Sequence, residues 1–394
     1  MVTIPLGIGD WESVSQNIPR LKLNNMYLTK NPASADEFSR VCRPSLTLQT
    51  TIGDGPFYGA YSEPGVFNGD WFVVSGADLY RHTVSTGVTK LIGSIPGTGY
   101  CDMVGTIYSI MIVRDGVIYR VFDDLVTIIA MPDNKLVSSV ASINGFYLFG
   151  VIDSQRYYWL EPASTVVNAL HFASAERIPD NIVSINRVGD EIWFLGDKGA
   201  EVWTPTGDVD SPFIRTPGRV YQDGCHANET AVEATIKGLP SLIWVTDTKS
   251  VVISQGQPIK ISNASIEEIF KSATNFRAWT FRHNRHDFYV VTCSTGTYVY
   301  DIDNGVWQNW ESYEKTGWRA HLGFQDQDKT YAVDSIDGSV WKLEAGPTDN
   351  GEPILQEVAG FVPNYGKAYP CYSIDVTANI GWSSDYDVEP TLEL

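Results

Sequence analysis

The chain has 394 residues, of which 43% are hydrophobic and 12% aromatic, and it carries a net charge of −19 at pH 7. It is too long for one ordinary core and too apolar for disorder over most of its length, which leaves two domains or one large radial repeat. The acid excess excludes a protein that grips nucleic acid through its phosphates, a task that needs clustered Lys and Arg.

Five cysteines (Cys42, Cys101, Cys225, Cys293, Cys371) are scattered with no CxxC spacing, the pattern of buried free thiols in a reducing compartment. The start, Met1-Val-Thr-Ile-Pro-Leu-Gly7, lacks the basic stretch of a signal peptide, and no window approaches the roughly 18 apolar residues that span a bilayer. The expectation is a soluble protein made in a cytoplasm.

Residues 1–60 are irregular and rich in Asn, Pro and Ser; they read as an arm, or as the source of a strand that closes a ring. A repeated phrase follows: an apolar strand, a tight turn, then a second strand ending in an aromatic. It appears at Trp71–Tyr80, Ile107–Tyr119, Gly145–Trp159, Ile192–Trp203, Phe288–Tyr300 and Tyr331–Trp341. Seven inner apolar strands, centred near Phe72, Tyr108, Phe146, Trp193, Trp244, Phe288 and Tyr331, lie 36 to 51 residues apart. Four short antiparallel strands with their turns need about 40 to 50 residues, as propeller blades do.

Asp115-Gly116, Thr295-Gly296 and Asp337-Gly338 place glycine where a hairpin needs positive φ, and second hairpins follow at Gly87, Gly207 and Gly305. Hairpin upon hairpin makes a meander. The fold class is therefore all-β, a propeller of six or seven blades over residues 61–346.

Two segments depart from the pattern. Residues 208–230 lengthen the link into the fifth unit, and Ser265–Lys271 reads as a short rim helix with a capping box between Ser265 and Glu268. Residues 347–394 form a turn-rich linker and the start of a second, C-terminal β segment, with a new alternation from Tyr372. The last residues, Thr391–Leu394, read as mid-strand, so the natural chain is expected to continue.

No catalytic constellation, cofactor motif or metal set emerges: there is no GxSxG, no P-loop and no GxGxxG before a helix. Ser335–Trp341 has a faint look of a sialidase Asp-box, and Asp301–Gly305 of a calcium loop without its ligand register; both read better as turns. His283 and His286, in Arg282-His-Asn-Arg-His286, read as loop contacts rather than zinc ligands.

An ordered series of segments then carries a resemblance. Asn25-Met26-Tyr27, Arg43-Pro44, Phe57–Tyr61 and Ser75–Arg81 are followed by Gly224-Cys225, Ile243-Trp244-Val245, Gly256–Glu267, Thr297–Asp301 and Trp307. Together they resemble the tail-hub, or packaged-DNA stabilisation, proteins of short-tailed bacteriophages, over roughly residues 20–390. The resemblance implies a non-enzymatic virion protein, made and assembled in the bacterial host cytoplasm and carried in the tail. It implies a homo-hexameric ring below the portal and adaptor rings. That ring retains packaged DNA, receives a needle or plug, docks tailspikes or fibres, and lets double-stranded DNA pass without sequence-specific contacts. Six copies would carry six times −19, or −114, so their contacts must be locally apolar or oppositely charged. Two other readings stand beside it: a propeller hydrolase or glycan-binding tail protein acting on the host surface, and a cellular propeller serving as a binding platform.

Overall fold

A computed structural model describes residues 22–31, 37–208, 210–326 and 328–360. Seven antiparallel sheets succeed one another along the chain. They are blades 1 to 6, at residues 57–94, 101–129, 137–174, 182–221, 232–260 and 277–310, and blade 7, at 320–344 together with Ser45–Thr51. Blades 1 to 6 are meanders whose neighbouring strands are also neighbours in sequence, blade 7 takes its fourth strand from the N-terminal side, and seven is the blade count.

The core is divided in the same way. Hydrophobic clusters fill the spaces between adjacent blades all the way round, from Phe72, Val74 and Ile112 between blades 1 and 2 to Trp71, Val73 and Val333 between blades 7 and 1. No blade buries its faces alone; each completes its two neighbours.

The apolar strands read from sequence as innermost are the second strands of their blades. The strand Trp71–Ser75 is buried along its whole length, as is Ile110–Arg114. A second strand is paired on both edges and covered by blades on both faces, so it carries an unbroken apolar run. Tyr108 is not in its strand at all; it lies in the turn before Ile110 and is 40% exposed.

The sheet of blade 7 is completed by an N-terminal strand. Ser45–Thr51 pairs antiparallel with Ser339–Glu344, from Ser45↔Glu344 to Thr51↔Ser339. Ile52 N–H then donates to the Gly338 carbonyl at 2.7 Å. Gly338 itself does not adopt positive φ; a Cβ there would sit 2.0 Å from the Gly53 carbonyl oxygen. The glycine is required by this backbone crossing rather than by turn geometry.

The junction beside the closing strand is polar and sealed. The Arg43 guanidinium, without solvent exposure, donates to both Asp349 carboxylate oxygens at 3.0 and 2.6 Å. It also donates to the Asn25 side chain and to the Pro44 and Glu311 carbonyls. Asp349 in turn accepts the Leu46 N–H at 2.9 Å. Nearby, Lys22–Asn24 joins blade 6 by a parallel bridge and pairs with Glu357–Ala359, extending that sheet to six strands.

Two further expectations change. Phe213–Tyr221, read as part of a long link, is the outermost strand of blade 4. The helix spans Ala264–Ser272 and is capped by Asn263, whose side chain accepts the Ile266 N–H at 3.0 Å, not by Ser265. It buries Ile266 and Phe270 in the core between blades 5 and 6, so it is a packed element rather than a rim decoration. The alternation from Tyr372 lies outside the described residues.

Removing the arginine would leave Asp349 buried and unpaired, a defect worth about 3–5 kcal/mol. Arg43→Ala is expected to lower the unfolding free energy by that amount in chemical denaturation. A change within about 0.5 kcal/mol, the range of ordinary surface substitutions, would refute the role assigned to this pair.

Candidate functional site

The seven first strands converge on the propeller axis. They are Phe57–Tyr61, Cys101–Gly105, Val137–Ile143, Ile182–Val188, Val232–Ile236, Arg277–His283 and Ala320–Asp326. Each contributes to the wall of a central cavity of about 380 Å³, among them Tyr61, Asp102, Ser142, Asn186, Glu233, Thr280 and Gly323. The approach is close: a Cβ at Gly323 would meet the Trp279 ring at 2.2 Å. That volume is the scale of a small-molecule pocket. A DNA duplex, whose major groove alone is about 12 Å wide, cannot thread this hub.

First strands have one unpaired edge, so their backbone N–H groups need other acceptors. Side chains supply them from blade to blade. Asp102 of blade 2 accepts the Val140 N–H of blade 3 at 2.9 Å, and the Ser139 hydroxyl accepts the Ile185 N–H of blade 4 at 3.0 Å. Glu233 of blade 5 accepts the Arg187 N–H of blade 4 at 2.6 Å. Blade 7 reaches blade 1 through His321 Nε2 and the Phe57 carbonyl at 3.0 Å. The hub acids are thus backbone acceptors that bind neighbouring blades together.

Enclosure shifts their protonation. Burial raises Asp102 to about 6, opposed by the hydrogen bonds from Val140 and from the Asn228 amide. Burial likewise raises Glu233 to about 7, although its side chain is exposed to the cavity that it lines. Burial, with the nearby Arg277 charge, lowers His321 to about 4 and keeps it neutral. Asp102 and Glu233 were not singled out from sequence. Their common signal is position: each is the second residue of its blade's first strand, the one carboxylate in Cys101–Gly105 and in Val232–Ile236.

The motifs weighed from sequence resolve as turns. Asp334, fully buried, accepts from Arg319 Nε at 2.6 Å, Trp341 Nε1 at 2.7 Å, and the Ile336 and Asp337 N–H groups, so the Asp-box likeness is a locked hairpin. His286, Asp301 and Asp303 bring three possible metal-ligand atoms within 4.8 Å of one another. Their atoms are already engaged. His286 Nδ1 lies 2.9 Å from Asp301 Oδ2, Asp301 Oδ1 accepts the Asp303 and Asn304 N–H groups, and Asp303 accepts that of Asp287. The hydrogen bond to Asp301 raises the His286 pKa, as expected of an imidazole serving a buried carboxylate. His283 is not part of this group; its ring lies 3.0 Å from the Asn284 amide. A second hollow, about 540 Å³ and polar, lies between blades 3 and 4 and is lined by Asp153, Arg156, Glu176, Asp180, Asp197 and Lys198.

The hub carboxylates make stability depend on pH with a definite sign. A folded pKa near 7 against an ordinary 4.5 means the folded state holds the Glu233 proton more tightly. Its contribution is therefore full at low pH and is lost as pH rises toward 7. Glu233→Gln keeps the acceptor and removes that loss. It is expected to melt higher than wild type at pH 8, the gap closing toward pH 4.5; a pH-independent difference in melting temperature would contradict the assignment.

No curated protein matches the sequence. Solved structures share the fold. The extracellular domain of a hybrid two-component system from B. thetaiotaomicron matches with a TM-score of 0.52 and 14% identity, over 77% of this chain and 40% of that one. A chain of a mitotic checkpoint complex matches with a TM-score of 0.50 and 8% identity, over 85% of this chain and 99% of that one. Identities this low speak for the propeller alone. The family comparison goes further: a model of the phage-stabilisation family, described as bacteriophage P22 Gp10, beta-propeller, matches residues 2–345. The chain belongs to that family and is a phage structural protein.

Proposed function

We propose that six copies of this protein form the ring of a short phage tail, below the portal and adaptor rings, and that this ring acts by shape rather than by catalysis. It retains the packaged genome, receives a needle or plug, holds tailspikes or fibres at its rim, and serves as the conduit when DNA leaves. Assembly takes place in the bacterial host cytoplasm. The family match over residues 2–345 is the observation that carries this reading.

Two physical features support it. A propeller closed strand by strand, with packed clusters between every pair of blades, is a stiff block suited to bearing load from a filled head. Its net charge of −19 means that a DNA phosphate gains no counterion release on touching it, so a duplex would slide past rather than bind. The channel for that duplex is the lumen between copies, because the hub of each propeller is far too small.

A nonsense mutation in the gene tests the proposal. Heads are expected to fill with DNA and then lose it, and the particles to lack tail tips in electron micrographs. Particles that keep their genome and infect normally would overturn it.

A further inference from the structure

Exposed large apolar side chains are unevenly distributed. Of the twenty among the described residues, eight fall between Val84 and Ile128. Five of these, Val88, Leu91, Phe122, Leu125 and Ile128, lie on the outer strands of blades 1 and 2 and are 51–66% exposed. The outermost strands, Val88–Ser94 and Leu125–Ile129, carry one lysine and no carboxylate, in a chain whose net charge is −19.

The two strands are fixed relative to each other. Lys90 and Arg81 of blade 1 both pair with Asp124 at the tip of blade 2, at 2.9 and 2.7 Å. Gly93 lies so close to Val126 that a Cβ would come within 2.4 Å of it. Blade 6 offers a contrast, since its outer edge is covered by the chain's own Lys22–Asn24 and Glu357–Ala359. Among the described residues no segment of the chain covers the outer strands of blades 1 and 2, which end their sheets with an unpaired backbone edge.

We propose that this edge is a contact surface for a second copy of the same chain. Two molecules that each carry −19 repel over most of their surfaces, so they meet where the surface is locally apolar or oppositely charged. An apolar edge strand is a standing site for association, and here it coincides with the acid-free strands. In a ring the contact is heterologous, this edge of one copy meeting a different face of the next. The inference rests on the ring reading above and names the part of the surface that builds it.

The test is the mass of the purified full chain in solution, by light scattering, for wild type and for Leu125→Asp/Ile128→Asp. The expected result is an oligomer for wild type and a monomer for the variant with an unchanged far-ultraviolet circular dichroism spectrum. A variant that remains oligomeric would overturn this edge as the contact while leaving the ring itself standing; a wild-type chain that stays monomeric would overturn both. Should the double variant fail to fold, Ile128→Cys keeps the edge apolar and reports directly. Its thiol is expected to react with a maleimide at least tenfold more slowly in the oligomer than in the diluted monomer, and equal rates would overturn the proposal.

Discussion

Closure of the wheel rests on one strand pairing. Ser45–Thr51 supplies the outer strand of blade 7, placing Leu46 in the core between blades 6 and 7 and Ile52 in the core between blades 7 and 1. Without it, blade 7 would have an unpaired edge and the last inter-blade clusters would open to water. The buried Arg43–Asp349 pair makes the closure conditional on both chain ends. Asn25 and Arg43 come from the N-terminal side, Asp349 from beyond the last blade, and the Glu311 carbonyl from the exit of blade 6. A guanidinium is suited to such a junction because its planar fork satisfies a carboxylate and several carbonyls at once. Burial of that pair ties ring closure to the correct placement of segments some 300 residues apart.

The same logic explains the acids at the hub. Seven strands meeting at an axis leave seven unpaired edges around a cavity of about 380 Å³. Asp102, Ser139 and Glu233 answer this by accepting N–H groups from the adjoining blades. Negative charge there serves cohesion between blades, and the raised pKa values are its cost. Any contribution of charge to DNA passage in the proposed ring therefore comes from the outer surface of the molecule, not from its hub.

The propeller was legible because its second strands are covered on both faces, which forces the apolar runs seen at Trp71–Ser75, Ile192–Leu195 and Phe288–Val291. First strands were harder to place. Arg277-Ala-Trp-Thr-Phe-Arg-His283 mixes polar and apolar residues because it faces packed neighbours and a wet cavity at once. The hub acceptors Asp102 and Glu233 resemble any other surface acid until the strands are brought to the axis. Asn228 and Asn263 carry no local signal of their roles; one donates to Asp102 and the other caps the helix, roles set by tertiary placement. Gly338 was assigned the right importance for the wrong reason, because a backbone crossing from residue 53 leaves no trace in a local pattern. The functional reading came from the ordered resemblance of segments, since a propeller by itself serves many functions.

In the proposed ring each propeller is a wall block of a larger conduit and is not itself the conduit. An electron cryomicroscopy map of the intact virion tests this most directly. The account expects six copies around the tail axis, propeller hubs displaced from that axis, and duplex density in the lumen between them. A single copy centred on the axis, with DNA density running through its hub, would contradict it.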